Sequence, residues 1–138
     1  MGGNAQERQV LVIPCSGIGK VHGLISREVA YRVTDALMPR QVDTVCLALL
    51  VTGDPEAREK VGRHPCITVD GCPKVCAQKN VELSGGKVAE GVRVHDTFKR
   101  HRGGQFGSPT ALSEEGWAVV DEIAAEVIEA ARHATREE

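Results

Sequence analysis

Four short apolar runs, each followed by a stretch with helical spacing, restrict this chain to folds in which helices join neighbouring strands. "VLVIPC" (Val10 to Cys15) is β-branched and uncharged, and it closes on the glycine-bearing "SGIGKVHG", as expected for a buried strand turning into a helix. "LISREVAYRVTDALM" then places Ile25, Val29, Val33 and Leu37 at four-residue spacing, so one helix face is apolar until Pro39 stops it. "VDTVCLAL" is expected to be a second buried strand, and "GDPEAREKVG" a helix with Asp54 at its N-cap and Pro55 in its first turn. "CITVDG" supplies a third strand. "PKVCAQKNVEL" supplies a helix that starts at Pro73 and stops at Gly85-Gly86. "VAEGVRVHD" is the fourth strand, and a final helix over about 112–135 packs through Trp117, Val120, Ala124, Val127 and Ala131. The expected fold is α/β, a three-layer, open, mostly parallel sheet of about four strands in the order 2-1-3-4, flavodoxin- or Rossmann-like.

The 138 residues fit a single domain, 1–138, large enough to bury a core without a metal or disulfides. Lys+Arg 17 against Asp+Glu 19 leaves a formal charge of -2, so neither a nucleic-acid partner nor a membrane surface is expected. "MGGNAQERQV" lacks the apolar run of a signal peptide, and "VCLALLV" is too short to cross a bilayer. The expected location is cytoplasmic. Five cysteines in a reducing compartment point to metal binding or thiol chemistry rather than to a disulfide framework.

In open parallel sheets, ligands bind beyond the carboxyl ends of the strands, where the strand order reverses. Cys15 ends the first strand, Cys46 sits late in the second, Cys72 follows the third and Cys76 lies one helical turn on, so all four can approach that edge. Cys66 opens the third strand at its amino end, roughly 20 Å from Cys72 at about 3.3 Å per residue, and falls outside the cluster. With Cys72 at an N-cap and Pro73 first in the helix, Cys72 and Cys76 share one face near the positive end of the helix dipole. Buried cysteine is common and could explain the pair alone, but four converging thiolates are the donor set of a tetrahedral zinc site.

Three separated stretches, "VIPCSGIGK", "VCLALLVTGD" and "ITVDGCPKVCAQK", resemble the DGC-domain family, named for the tripeptide present here as Asp70-Gly71-Cys72. The resemblance extends to about His101 and implies zinc binding by four chelating cysteines, which carried over residue by residue are Cys15, Cys46, Cys72 and Cys76.

Other chemistries use the same residues. A Cys₄ set also suits an iron–sulfur cluster, but the compact Cys-x-x-Cys run of ferredoxins is missing. If Cys46 stayed in the core, three thiolates and a water would leave an open position, with His22 and His95 near enough in sequence to serve it. A metal-free thiol oxidoreductase would have Cys15 attack a substrate and Cys72 or Cys76 resolve the intermediate. The loop after Cys15 superficially matches cysteine-phosphatase loops, but Val21 stands where the anion-binding arginine belongs. It is not a P-loop either. Asp70 is expected to cap the helix that follows it, and "FKRHRGGQFG" to be a mobile solvated loop.

Overall fold

Side-by-side pairing of the four apolar runs defines the architecture of the protein, seen in a computed structural model that describes residues 10–17, 19–71 and 74–136. Strands β1 (Val10–Pro14), β2 (Val42–Thr44), β3 (Pro65–Asp70) and β4 (Lys87–Arg93) form one sheet in the order β2-β1-β3-β4. Every pairing is parallel, with Val10 opposite Val42 and Val12 opposite Ile67. Parallel neighbours require crossovers, and helices supply them: α1 (Val21–Tyr31), α2 (Leu47–Thr52), α3 (Pro55–Arg63) and α4 (Cys76–Leu83). After β4 come the short α5 (Val94–Lys99) and the long α6 (Glu114–Arg136). The result is the expected α/β, Rossmann-like order.

Because side chains alternate along a strand, each strand feeds two cores. Val10, Val12, Ile67 and Val69 face one way, against Ile25, Val29 and Val33 near α1 and Val120, Ile123 and Val127 of α6. Leu11, Ile13 and Cys66 face the other way, against Leu50 of α2, Val61 of α3 and Val81 of α4. Both faces of the central strands are covered, which is why β1 and β3 carry no charge before Asp70.

Several local expectations change. The helix through Leu37 loosens after Tyr31 into a π-helical turn, Arg32–Leu37, where the Met38 N–H reaches back to the Val33 carbonyl at 2.8 Å. Leu37 is consequently exposed rather than packed. The "VDTVCLAL" strand stops at Thr44, because Leu47–Thr52 is a run of good helix formers closed by Gly53 in the left-handed region at φ 82. The fourth strand ends at Arg93, so His95 and Asp96 lie in α5. Trp117 leaves the α6 packing stripe: it is 40% exposed, with the Arg32 guanidinium 5.6 Å above its ring.

The "FKRHRGGQFG" segment is largely exposed, as expected, but several of its side chains make specific contacts. Phe98 stacks on Phe106 at 4.1 Å, and Arg100 pairs with Glu122 and Glu126 of α6 while His101 holds Glu122 at 2.8 Å. Those contacts engage two of the segment's basic side chains, Arg100 and His101, with carboxylates of α6. No helix among the described residues is long and apolar enough to cross a membrane.

One buried polar atom gives a direct test of this packing. The Thr68 hydroxyl, fully buried in β3, has no hydrogen-bond partner among the described residues. Thr68→Val is expected to raise stability by about 1 kcal/mol, because it removes an unsatisfied hydroxyl at nearly constant volume. Urea unfolding of the two proteins should show a higher midpoint with an unchanged slope. A lower midpoint would mean that the hydroxyl has a partner.

Candidate functional site

The chain leaves β1 towards β2 on one side and β3 towards β4 on the other, so the strand order reverses between the carboxyl ends of β1 and β3. Cys15 stands at that crevice. Its N–H donates to the Val69 carbonyl at 3.0 Å, and its sulfur accepts the Gly71 N–H at 3.2 Å. The bridge between the two strand ends is therefore made by the first cysteine and the middle residue of Asp70-Gly71-Cys72.

Ser26, fully buried in α1, lies 3.4 Å from the same sulfur. Its hydroxyl donates to the Gly23 carbonyl at 2.7 Å and accepts the Ser16 N–H at 3.2 Å. With that proton committed to Gly23, a neutral Cys15 thiol is the donor in the Cys15–Ser26 contact. A thiolate at Cys15 would instead accept the Ser26 proton, and the Gly71 N–H serves the sulfur in either state.

Cys46 lies outside β2 as the exposed N-cap of α2, so the expectation that it sits late in the strand is corrected. It still faces Cys15, since both line one cleft of about 350 Å³ at the carboxyl edge. Cys76 is the exposed first residue of α4, a helix that packs against the one Cys46 caps. Cys66 is buried towards the other end of β3, and burial pushes its thiol up to about 12. It belongs to the core, as its place in the sequence suggested.

Cys72 and Pro73 lie outside the described residues, but the helix assigned to them does not start there. It begins at Cys76 after Val75, which adopts a left-handed φ of 48. The cap comes from Asp70 instead: its carboxylate accepts the N–H of Ala77 at 2.7 Å and of Gln78 at 3.1 Å. Burial holds the Asp70 carboxyl above its ordinary range, against the opposing pull of those two donors and of Lys79. The capping role expected of Asp70 therefore stands, delivered over seven residues rather than at the helix's own N-cap.

His22 and His95 do come together, on the α1 and α5 side of the crevice. Their rings are 6.3 Å apart and nearly parallel, and the edge of His22 meets Phe98 at 4.7 Å. The backbone N–H of His95 donates to the Gly71 carbonyl, and His22 lies directly over Gly71. Burial, then the charges of Lys20 and His95, lower the His22 pKa; its Nδ1 is buried with no hydrogen-bond partner among the described residues.

The donor chemistry of this edge suits a thiophilic ion, but the described residues do not complete a site. Among them, no three His, Cys, Asp or Glu side chains stand close enough to share one ion. Cys15, Cys46 and Cys76 are free thiols, and a fuller set needs Cys72.

Three residues of the edge were not singled out from sequence. Ser26 could have been noticed as a polar residue beside the apolar stripe of α1. Arg27 and Tyr31, one turn apart, line the cleft with Cys15 and Cys46, and only the strand order shows that their face of α1 reaches it.

Comparison with known proteins agrees with the motif-level resemblance and extends it. The family model for the DGC domain matches residues 11–127, beyond the motifs and well into α6. No curated protein and no solved structure matches the chain. With the match spanning most of the sequence, this chain belongs to the DGC-domain family.

Proposed function

We propose that the protein binds zinc at the carboxyl edge of its sheet, with Cys15, Cys46, Cys72 and Cys76 as ligands. The observation that carries this reading is the shared cleft of Cys15 and Cys46, reached from two different strand ends, beside the helix that Cys76 opens. Five cysteines, with free thiols at the edge, also suit a reducing, cytoplasmic setting. Four thiolates would leave zinc no open position, so the ion would fix the segments that carry them rather than activate a substrate. The chain's own contribution is orientation: Gly71 and Ser26 hold the Cys15 sulfur, and Asp70 anchors the helix that Cys76 opens.

A second reading is favoured by the absence of any three-ligand group among the described residues and by the exposure of Cys46 and Cys76. In a thiol oxidoreductase, Cys15 attacks a substrate disulfide and expels one substrate thiolate, forming a mixed disulfide. Cys72 or Cys76 then attacks the Cys15 sulfur and releases the second thiolate. The substrate disulfide is reduced to two thiols and the protein pair is oxidised to one disulfide.

Metal analysis by mass spectrometry, on protein purified anaerobically without chelator, separates the two. Near-stoichiometric zinc is expected in the wild type and in Cys66→Ala. Most of it should be lost in Cys15→Ser, Cys46→Ser, Cys72→Ser and Cys76→Ser. Metal-free, folded wild type that cycles reversibly between thiol and disulfide forms would replace zinc binding with the redox reading.

A further inference from the structure

The cleft shared by Cys15 and Cys46 carries more than sulfur. Arg27 and Tyr31 enter it from α1, and Ser16 and Thr44 add hydroxyls from the ends of β1 and β2. No Asp or Glu lines it, and the Arg27 guanidinium makes no ion pair or hydrogen bond among the described residues. Arg27 is half-buried and lines a cleft whose other polar side chains are hydroxyls and thiols, so its guanidinium lacks the carboxylate or phosphate that such a group ordinarily meets. The remaining walls are apolar, with Pro14, Ala30, Val45 and Leu47 among them.

From these features we infer that the cleft binds a small monocarboxylate with a short apolar body, its carboxylate on Arg27 and its hydrocarbon against the apolar wall. One planar guanidinium matches a carboxylate with two parallel hydrogen bonds. A phosphate dianion carries a second negative charge, yet Arg27 is the one cationic side chain among the described residues that line the cleft. The volume, about 350 Å³, lies at the small end of ligand sites, which suits a metabolite rather than a peptide. Bound there, the ligand shares the cleft with two thiols, so this site would present a carboxylate-bearing molecule to Cys15 and Cys46. The inference does not rest on zinc, because Arg27 supplies the charge recognition.

Titration of the full-length, reduced protein followed by amide NMR shifts tests it, with butyrate as the probe and butyramide and inorganic phosphate as comparators. Butyrate is expected to shift residues 15–17, 27–31 and 44–48 saturably, with Kd on the order of millimolar. Butyramide and phosphate should bind at least about tenfold more weakly, and Arg27→Gln should weaken butyrate by a similar factor, the loss of one charge-assisted pair. Arg32→Gln, on the same helical stretch but engaged with Asp121, should leave the titration unchanged. The spectra themselves report whether each variant is folded. Equal binding of butyrate and butyramide, unchanged binding in Arg27→Gln, or no saturable shift at these residues would overturn the assignment. So would a butyrate response that persists in Arg27→Gln and disappears when metal is stripped, since the carboxylate would then be reading the ion. If metal analysis finds no zinc while the Arg27 dependence holds, the metal reading fails and the carboxylate site stands.

Discussion

Gly23→Ala is expected to destabilise the protein by about 3 kcal/mol, near the upper end for overpacking a buried site. Gly23 lies in the first turn of α1, fully enclosed, and the loop from β1 folds back over it. A Cβ added there would overlap the Gly17 carbonyl oxygen and come within 2.6 Å of its carbon and 2.7 Å of the Gly17 nitrogen. Those are backbone atoms, so no side-chain rotation relieves the clash. The helix start or the loop must move, and the loop carries Cys15 and Ser16. Gly23 also accepts the Ser26 hydroxyl through its carbonyl, so the displacement reaches the residue that holds the Cys15 sulfur. Gly17→Ala is the internal control, since a Cβ on Gly17 meets nothing within 4 Å. Urea unfolding followed by circular dichroism should place the Gly23→Ala midpoint roughly 1–2 M below wild type, with Gly17→Ala close to wild type. A Gly23→Ala protein within about 1 kcal/mol of wild type would show that the loop does not lie over the helix as described.

The order of the sheet was legible because β1 and β3 are buried on both faces and so read as continuous apolar runs, separated by stretches with helical spacing. Asp54 and Pro55 were equally legible: the Asp54 carboxylate accepts the Ala57 N–H at 2.9 Å, a cap written within four consecutive residues. One error has a local cause. After Asp43 and Thr44, "VCLAL" is apolar throughout, and so short an apolar run has no periodicity that tells a strand from a short buried helix. Leucine and alanine propensity, together with Gly53, were the signals that α2 starts at Leu47. That difference places Cys46 at an exposed helix start rather than inside the sheet.

The site itself was partly legible. Spacing along the strands brought Cys15 and Cys46 to the same edge and kept Cys66 away, and the structure agrees on both. Contacts between distant segments were not legible. The stacking of Phe98 on Phe106 and the grip of Arg100 on Glu122 join an exposed basic loop to itself and to α6, and neither pair has a local sequence pattern. Arg27 reaches the thiol cleft for the same reason: helical spacing gives its face, but only β2 beside β1 says what that face meets.

Asp70→Ala is the second large effect expected, a loss of about 2–3 kcal/mol concentrated at the start of α4. The pattern Pro73 to Cys76 suggested a helix beginning on proline, but Val75 sits in the left-handed region, which a β-branched residue adopts only when its surroundings impose it. Asp70 holds the two residues that follow the helix's first position. One carboxylate oxygen takes the Ala77 N–H and the other takes the Gln78 N–H, so the first turn of α4 is anchored to the end of β3. Removing both acceptors strands two donors, at about 1–3 kcal/mol each when buried, and the released desolvation of the carboxylate offsets part of that loss. Asp70→Asn keeps one acceptor oxygen, so it should lose roughly half as much. Hydrogen exchange at the Ala77 and Gln78 amides gives the local reading: both should exchange much faster in Asp70→Ala, whereas amides in α6 should follow only the global change in stability. If Asp70→Ala instead leaves those two amides protected, the helix start has another anchor, and Cys76 owes its position to something other than Asp70.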